Sequence, residues 1–181
     1  MEREQLFFGE MSHIVGSDGL SAVVLTDKPR ERALTVVLDR AMSDQLSLRL
    51  KGVPVHTTML PEVLLSMFDA ETVVQMEMMV YDVSGGQYKV TLLNRLTLTL
   101  RNIRMSDAIL LALIAHIPLY IDAKLFTRQS SPYEPGCQGL QIPINAIDSQ
   151  RLNVELEKAI AKEDYRLASQ LHNELKRRDG N

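Results

Sequence analysis

The chain has 181 residues, 45% of them hydrophobic, which is room for one ordinary domain with a real core and at most a small appendage. Its formal net charge of −3 excludes a global attraction to phosphate, so any grip on nucleic acid must come from local basic groups or a metal. A single cysteine, Cys137, excludes an intramolecular disulfide, no apolar run approaches the roughly 20 residues of a membrane span, and alternating charges mark the first ten residues, so no membrane role or secretory signal is expected and the cytoplasm is the expected location.

Two short β-branched runs come first, residues 23–25 and 34–38, separated by a polar stretch that reads as a hairpin turn. Over residues 41–51, Met42, Leu46 and Leu50 recur at helical spacing, and Gly52 ends the helix. A second helix is predicted with Thr57 or Thr58 as its N-cap, Pro61 in its first turn, and Val63, Leu64, Met67 and Phe68 as its buried face. Three alternating runs follow, over residues 75–80, 88–93 and 96–101, with Ser84-Gly85-Gly86 as a turn. They read as an antiparallel meander with one wet face. A helix opening at Ser106 runs to about His116, Pro118 closes it, and Leu119-Tyr120-Ile121 is a last short strand.

The character changes over residues 128–148, where Ser130, Pro132, Pro135, Gly136, Gly139 and Pro143 crowd together. This is read as a linker or an ordered surface loop. Beyond it, Leu152, Leu156, Ala159 and Ile160 form one helical stripe, and Leu167, Ala168, Leu171 and Leu175 another. The break Lys162-Glu163-Asp164 makes them a hairpin, too small to stand alone. The expected class is α+β, a mainly antiparallel sheet packed with helices plus a C-terminal helical hairpin. The division is 1–127 for the main domain, 128–148 for the linker and 149–181 for the hairpin.

Two motifs carry a family resemblance. Asn102-Ile103-Arg104-Met105-Ser106-Asp107-Ala108 resembles the Asp-x-Arg-Pro-Ser-Asp-Ala signature of the bifunctional nuclease domain family, and the order of elements from about 20 to 127 fits with it. The run from Glu163 through Asp164-Tyr165 and Ala168 to Leu175 resembles the UVR motif of excision-repair and Clp-associated proteins. The first resemblance implies a metal-dependent nuclease acting on DNA and RNA with little sequence preference. Its divalent ion would be Mg²⁺ or Mn²⁺, with Asp107, Asp39 and Asp44 as candidate ligands and Asp107, Arg104 and Ser106 as candidate catalytic positions. The second implies a protein partner or a second subunit bound through Tyr165, Leu167, Ala168 and Leu171.

The residues also admit plainer roles. Ser106 reads as a helix cap, and an acid in a first turn such as Asp107 is favoured by the helix dipole by ~0.3–1 kcal/mol. Arg104 is read either as a phosphate clamp or as a partner for Asp107. Arg95, Arg101 and Arg104, with Lys89 on the neighbouring run, are candidate nucleic-acid contacts along the meander's open face, although no aromatic side chains alternate with them for base stacking. Asp122-Ala123-Lys124 is read as a chance Asp-x-Lys, and His56, beside the family's polar segment, is the one histidine worth testing.

The family pattern departs at Asn102 and Met105 in the late signature, at Met42, and over residues 54–59, where mainly acids and a histidine are replaced. A second reading therefore stands beside the first: a weak or inactive nuclease copy kept as a binding or assembly module. Exposed edges of so small a sheet also point to a homo-oligomer.

Overall fold

The computed structural model describes residues 2–14, 20–134 and 142–179, without the side chains of residues 55 and 56; Cys137 and the His56 side chain thus lie outside the described residues. An eight-stranded sheet forms the body: β1 (Arg3–His13), β2 (Ser21–Thr26), β3 (Arg32–Leu38), β4 (Met76–Ser84), β5 (Gln87–Asn94), β6 (Thr99–Arg104), β7 (Leu119–Asp122) and β8 (Ser131–Pro132). Its spatial order is β6-β5-β4-β7-β1-β2-β3-β8, and every neighbour pair is antiparallel except β4–β7. The class is α+β, as expected.

β1 organises the whole sheet. Residues 3–6 pair with β7, whereas residues 7–13 pair with β2, and the register slips between Phe8 and Glu10. Gly9 sits at that bulge, where an added Cβ would lie 3.0 Å from the Val24 carbonyl oxygen, so the strand bends at the residue that lets two backbones approach. A strand that changes partner at a bulge turns the sheet through a corner. The two halves wrap around one core, in which Leu34, Leu38, Leu46, Met78, Ile109 and Ile121 are fully buried. No strand is expected here from the sequence, because Leu6-Phe7-Phe8-Gly9 interrupts the alternation.

The helices are α1 (Arg40–Leu50), α2 (Leu60–Ser66), α3 (Ala70–Val74), α4 (Met105–Ala115), α5 (Ala123–Gln129), α6 (Ser149–Ala161) and α7 (Tyr165–Asp179). α1 agrees with its expectation, burying Met42 and Leu46. α2 does not. It follows a 3-10 turn over Pro54–Thr58, has Met59 rather than a threonine at its N-cap, and buries none of its residues. Val63, Leu64, Met67 and Phe68 are 43–77% exposed. The polar side of α2 faces inward instead, because Glu62 takes both oxygens to Arg49 of α1 (2.6 and 2.7 Å), whose side chain is only 4% exposed.

Two further corrections concern element ends. The third meander run begins at Thr99 rather than Leu96, because the Asn94 side chain accepts from the Leu96 and Thr97 amides and folds residues 95–98 into a turn. α4 opens at Met105, with Arg104 at the N-cap position and no side-chain cap, so Ser106 lies inside the first turn. Asp122 of the Asp-x-Lys fragment caps α5 by accepting from the Leu125 amide at 2.9 Å.

Within residues 128–148, β8 pairs with β3, and a 3-10 turn forms at Ile144–Ala146. α6 and α7 form the predicted hairpin, with Glu163 in the left-handed conformation between them. Leu152, Ala159, Ala168 and Leu171 make its buried seam, joined by Ile144, Ile147, Leu156 and Leu175. Among the described residues no helix is long and apolar enough to cross a membrane.

Candidate functional site

The two halves of the curled sheet meet around a cleft of about 590 Å³. Four strands separate β3 from β5 in the sheet order, yet Leu38 and Asp39 at the end of β3 and Lys89 and Val90 of β5 line the same opening. Asn102, Arg104 and Ser106 complete the wall from β6 and the start of α4. The two segments aligned with the nuclease signature, more than sixty positions apart in the chain (~60), are therefore brought together by the corner in β1.

Arg104 is the electrostatic centre of this wall. Its Nε donates to Asp107 Oδ2 at 2.7 Å and its Nη2 to Oδ1 at 2.9 Å, a two-pronged pair formed one turn apart. These bonds, then the charge of Asp107, then the charge of Asp39 hold the guanidinium above its ordinary value, so both acids stabilise the same cation. Lys89 is the register partner of Arg104 across β5 and β6, which sets two cations side by side. Neighbouring Thr91 donates to Asn102 at 3.4 Å. α4 meets the cleft without a side-chain cap, and Asp107, which holds Arg104, is the acid in its first turn.

The other candidates are scattered. Asp39 caps α1 by accepting from the Met42 amide at 2.8 Å. Asp44 is exposed on α1 and is absent from the cleft lining. Arg95 is engaged by Glu77, which also takes Arg3. Arg101 stands opposite Leu92, one residue out of phase with Lys89 and Arg104, and so projects from the other face of the strand. The expected basic strip thus reduces to Lys89 and Arg104. Among the described residues, no three of His, Cys, Asp or Glu are placed to hold one metal ion.

Tyr88 is a cleft residue whose sequence context marks it only as a strand position. Its hydroxyl is buried without a partner among the described residues, and burial pushes the phenol well above the usual tyrosine range. It therefore stays protonated and can donate but not act as a base. At the hairpin, Ala168 and Leu171 lie in the seam, whereas Tyr165 and Leu167 remain 70% and 37% exposed.

A model of the bifunctional nuclease domain matches residues 23–134. The chain belongs to the bifunctional nuclease domain family. The match begins inside β2 and ends just beyond β8, so this nuclease-family domain contains Asp39, Lys89, Arg104 and Asp107, while β1 and the hairpin lie outside it. No curated protein matches the chain.

Proposed function

We propose that this nuclease-family protein engages nucleic acid in the cleft and acts there on phosphodiester bonds of DNA and RNA without strong sequence preference. One observation carries the reading: Lys89, Arg104 and the uncapped start of α4 converge on one opening in a chain whose net charge is −3. Such groups bind phosphate oxygens whatever base follows, which supports contact with the backbone rather than with base edges. Arg104 orients a phosphate while Asp107 fixes the plane of its guanidinium. Asp39 is the acid nearest to a proton-accepting role.

The family resemblance implies Mg²⁺ or Mn²⁺, which would polarise a phosphate oxygen and activate water. The acids as arranged do not fit a shared ion, since Asp39 caps a helix, Asp107 holds Arg104 and Asp44 lies outside the cleft.

Purified protein would be tested on labelled single- and double-stranded DNA and RNA with Mg²⁺, Mn²⁺ or EDTA, beside Arg104→Ala and Asp39→Asn. Loss of a phosphate-orienting donor should slow cutting roughly 100-fold, the scale seen for transition-state donors. Cutting that neither substitution changes, or no cutting and no oligonucleotide binding under any condition, would overturn the reading.

A second reading has its own observation. The hairpin, similar in sequence to the UVR motif, keeps Tyr165 and Leu167 of α7 outside its seam, and Val154 and Ile160 of α6 are exposed as well. A weak or inactive family member that binds a cytoplasmic partner or a second copy of itself would use that surface. Sedimentation of wild type and Tyr165→Ala at several concentrations tests self-association; identical masses at the monomer value would remove it.

A further inference from the structure

Residues 143–148 connect two cores. Ala146 packs on the main core and lines the cleft, whereas Ile144 and Ile147 on either side pack on the hairpin seam. Gly86, in the β4–β5 turn and also in the cleft wall, lies directly beneath this segment. A Cβ there would come within 2.8 Å of the Ile147 carbonyl carbon and 2.9 Å of the Asp148 Cα, so the contact exists only because the residue is glycine.

The far end of α7 holds the segment from the other side. Arg178 donates to the carbonyl oxygens of Ile147 (2.7 Å), Asn145 (3.2 Å) and Ile144 (3.5 Å), and its Nε donates to Glu174 at 2.9 Å. Its side chain is only 9% exposed. A planar guanidinium that satisfies several carbonyls of one short segment fixes that segment's path, which an ammonium group would do less well.

We propose that residues 143–148 are a strap forming one wall of the cleft, and that Arg178 latches it, so that the position of the helical hairpin controls access to the cleft. When the latch is made, the Ile147–Asp148 backbone is held over Gly86, Ala146 stays in the cleft wall and the opening is narrowed. When the hairpin is drawn away, the strap follows and the wall is removed. The exposed Tyr165 and Leu167 lie on the same helix as the latch, so a partner that seizes that surface pulls on Arg178. The device operates whatever the cleft binds, so its test reads access rather than cleavage.

Lys89 is half-buried in the cleft wall and gives a direct probe. The full-length protein would be treated with an amine-acetylating reagent, and modification rates at Lys89 and at exposed, distant Lys51 followed by peptide mass spectrometry. Amide exchange over residues 144–147 and far-UV circular dichroism would be recorded in parallel. Arg178→Ala releases the strap from above, and Gly86→Ala displaces it from below. Both should raise Lys89 acetylation several-fold with Lys51 unchanged, while the amides of residues 144–147 exchange faster. Arg178→Lys should fall between wild type and Arg178→Ala. If Arg178→Ala unfolds the hairpin, the helical signal drops and the wall is gone, so Lys89 must still become more reactive. Faster exchange in the strap with unchanged Lys89 reactivity, or no change in the strap with either substitution, would overturn the proposal. Failure of nucleic-acid cutting would leave these readouts intact.

Discussion

α2 and the C-terminal hairpin carry similar apolar stripes and use them in opposite ways. In the hairpin the stripes of α6 and α7 face each other, and Leu152 and Leu171 reach 0% and 2% exposure. In α2 the stripe faces outward, and the helix is held through the Arg49–Glu62 pair on its polar side. The difference shows that helical periodicity identifies which side chains share a face but not which face meets the protein. That is decided by the partner at hand: a second stripe of equal length for α7, and a buried arginine for α2.

Substitutions can press on this contrast. Leu171→Ala should cost about 4 kcal/mol, within the range for buried leucines, because a cavity opens in a seam of few residues. Thermal melts followed by helical ellipticity would check it, and a loss under ~1 kcal/mol would mean that the seam is loosely packed. Glu62→Ala should cost about 3 kcal/mol, the low end for breaking a buried ion pair, because Arg49 loses its partner while Glu62 is itself 17% exposed. Urea unfolding with the double variant Arg49→Met/Glu62→Leu would sharpen this, since an apolar replacement of both partners should restore much of the loss.

Acid should weaken the hairpin. Hydrogen bonding from Arg177 holds the Glu174 carboxyl below the usual range, with Arg178 adding to it and burial opposing. A depressed folded-state pKa means that the stabilisation is complete above the unfolded value near ~4.3 and is lost as pH falls through the folded value. Helicity of the wild type should therefore decline on acidification below about pH 4, and Glu174→Gln should flatten that part of the profile. The smallest effect is expected at Leu64→Ala, which removes a side chain 48% exposed on α2 and should change stability by less than ~0.5 kcal/mol. A larger loss in dilute monomer would show that the outward stripe is covered.

How much was legible in advance follows the range of the interactions. The hairpin could be read residue by residue because its seam is set by neighbours three and four apart across a three-residue break. α1 was equally plain, with its apolar positions and a glycine beyond its end. β1 was hidden because a bulge interrupts its alternation, and its meaning lies in two partners, one of them more than a hundred positions away (~100). In the site, the signature residues Arg104, Ser106 and Asp107 could be found as a string, but whether Asp39 lies near them could not be read from the sequence. Lys89 was already expected beside the arginines on the neighbouring strand, but that it faces Arg104 rather than Arg101 required the register. Ala146 and Gly86 carried no advance signal of their joint place in the cleft wall, since only the packing of distant segments puts a strap there.

The bend at Gly9 also bears on the order in which the molecule assembles. The β1–β2–β3 hairpins and the β4–β5–β6 hairpins are local, and each set can pair as soon as its own residues leave the ribosome. Residues 3–6 must wait for β7, so one half of β1 is a finished edge while the other half stays unpaired until residues 119–122 exist. Union of the halves is thus a late, long-loop event, and the cleft comes into being with it. Substitutions at this seam, such as Leu119→Ala, should slow folding less than they speed unfolding, and stopped-flow measurements of both limbs would show it.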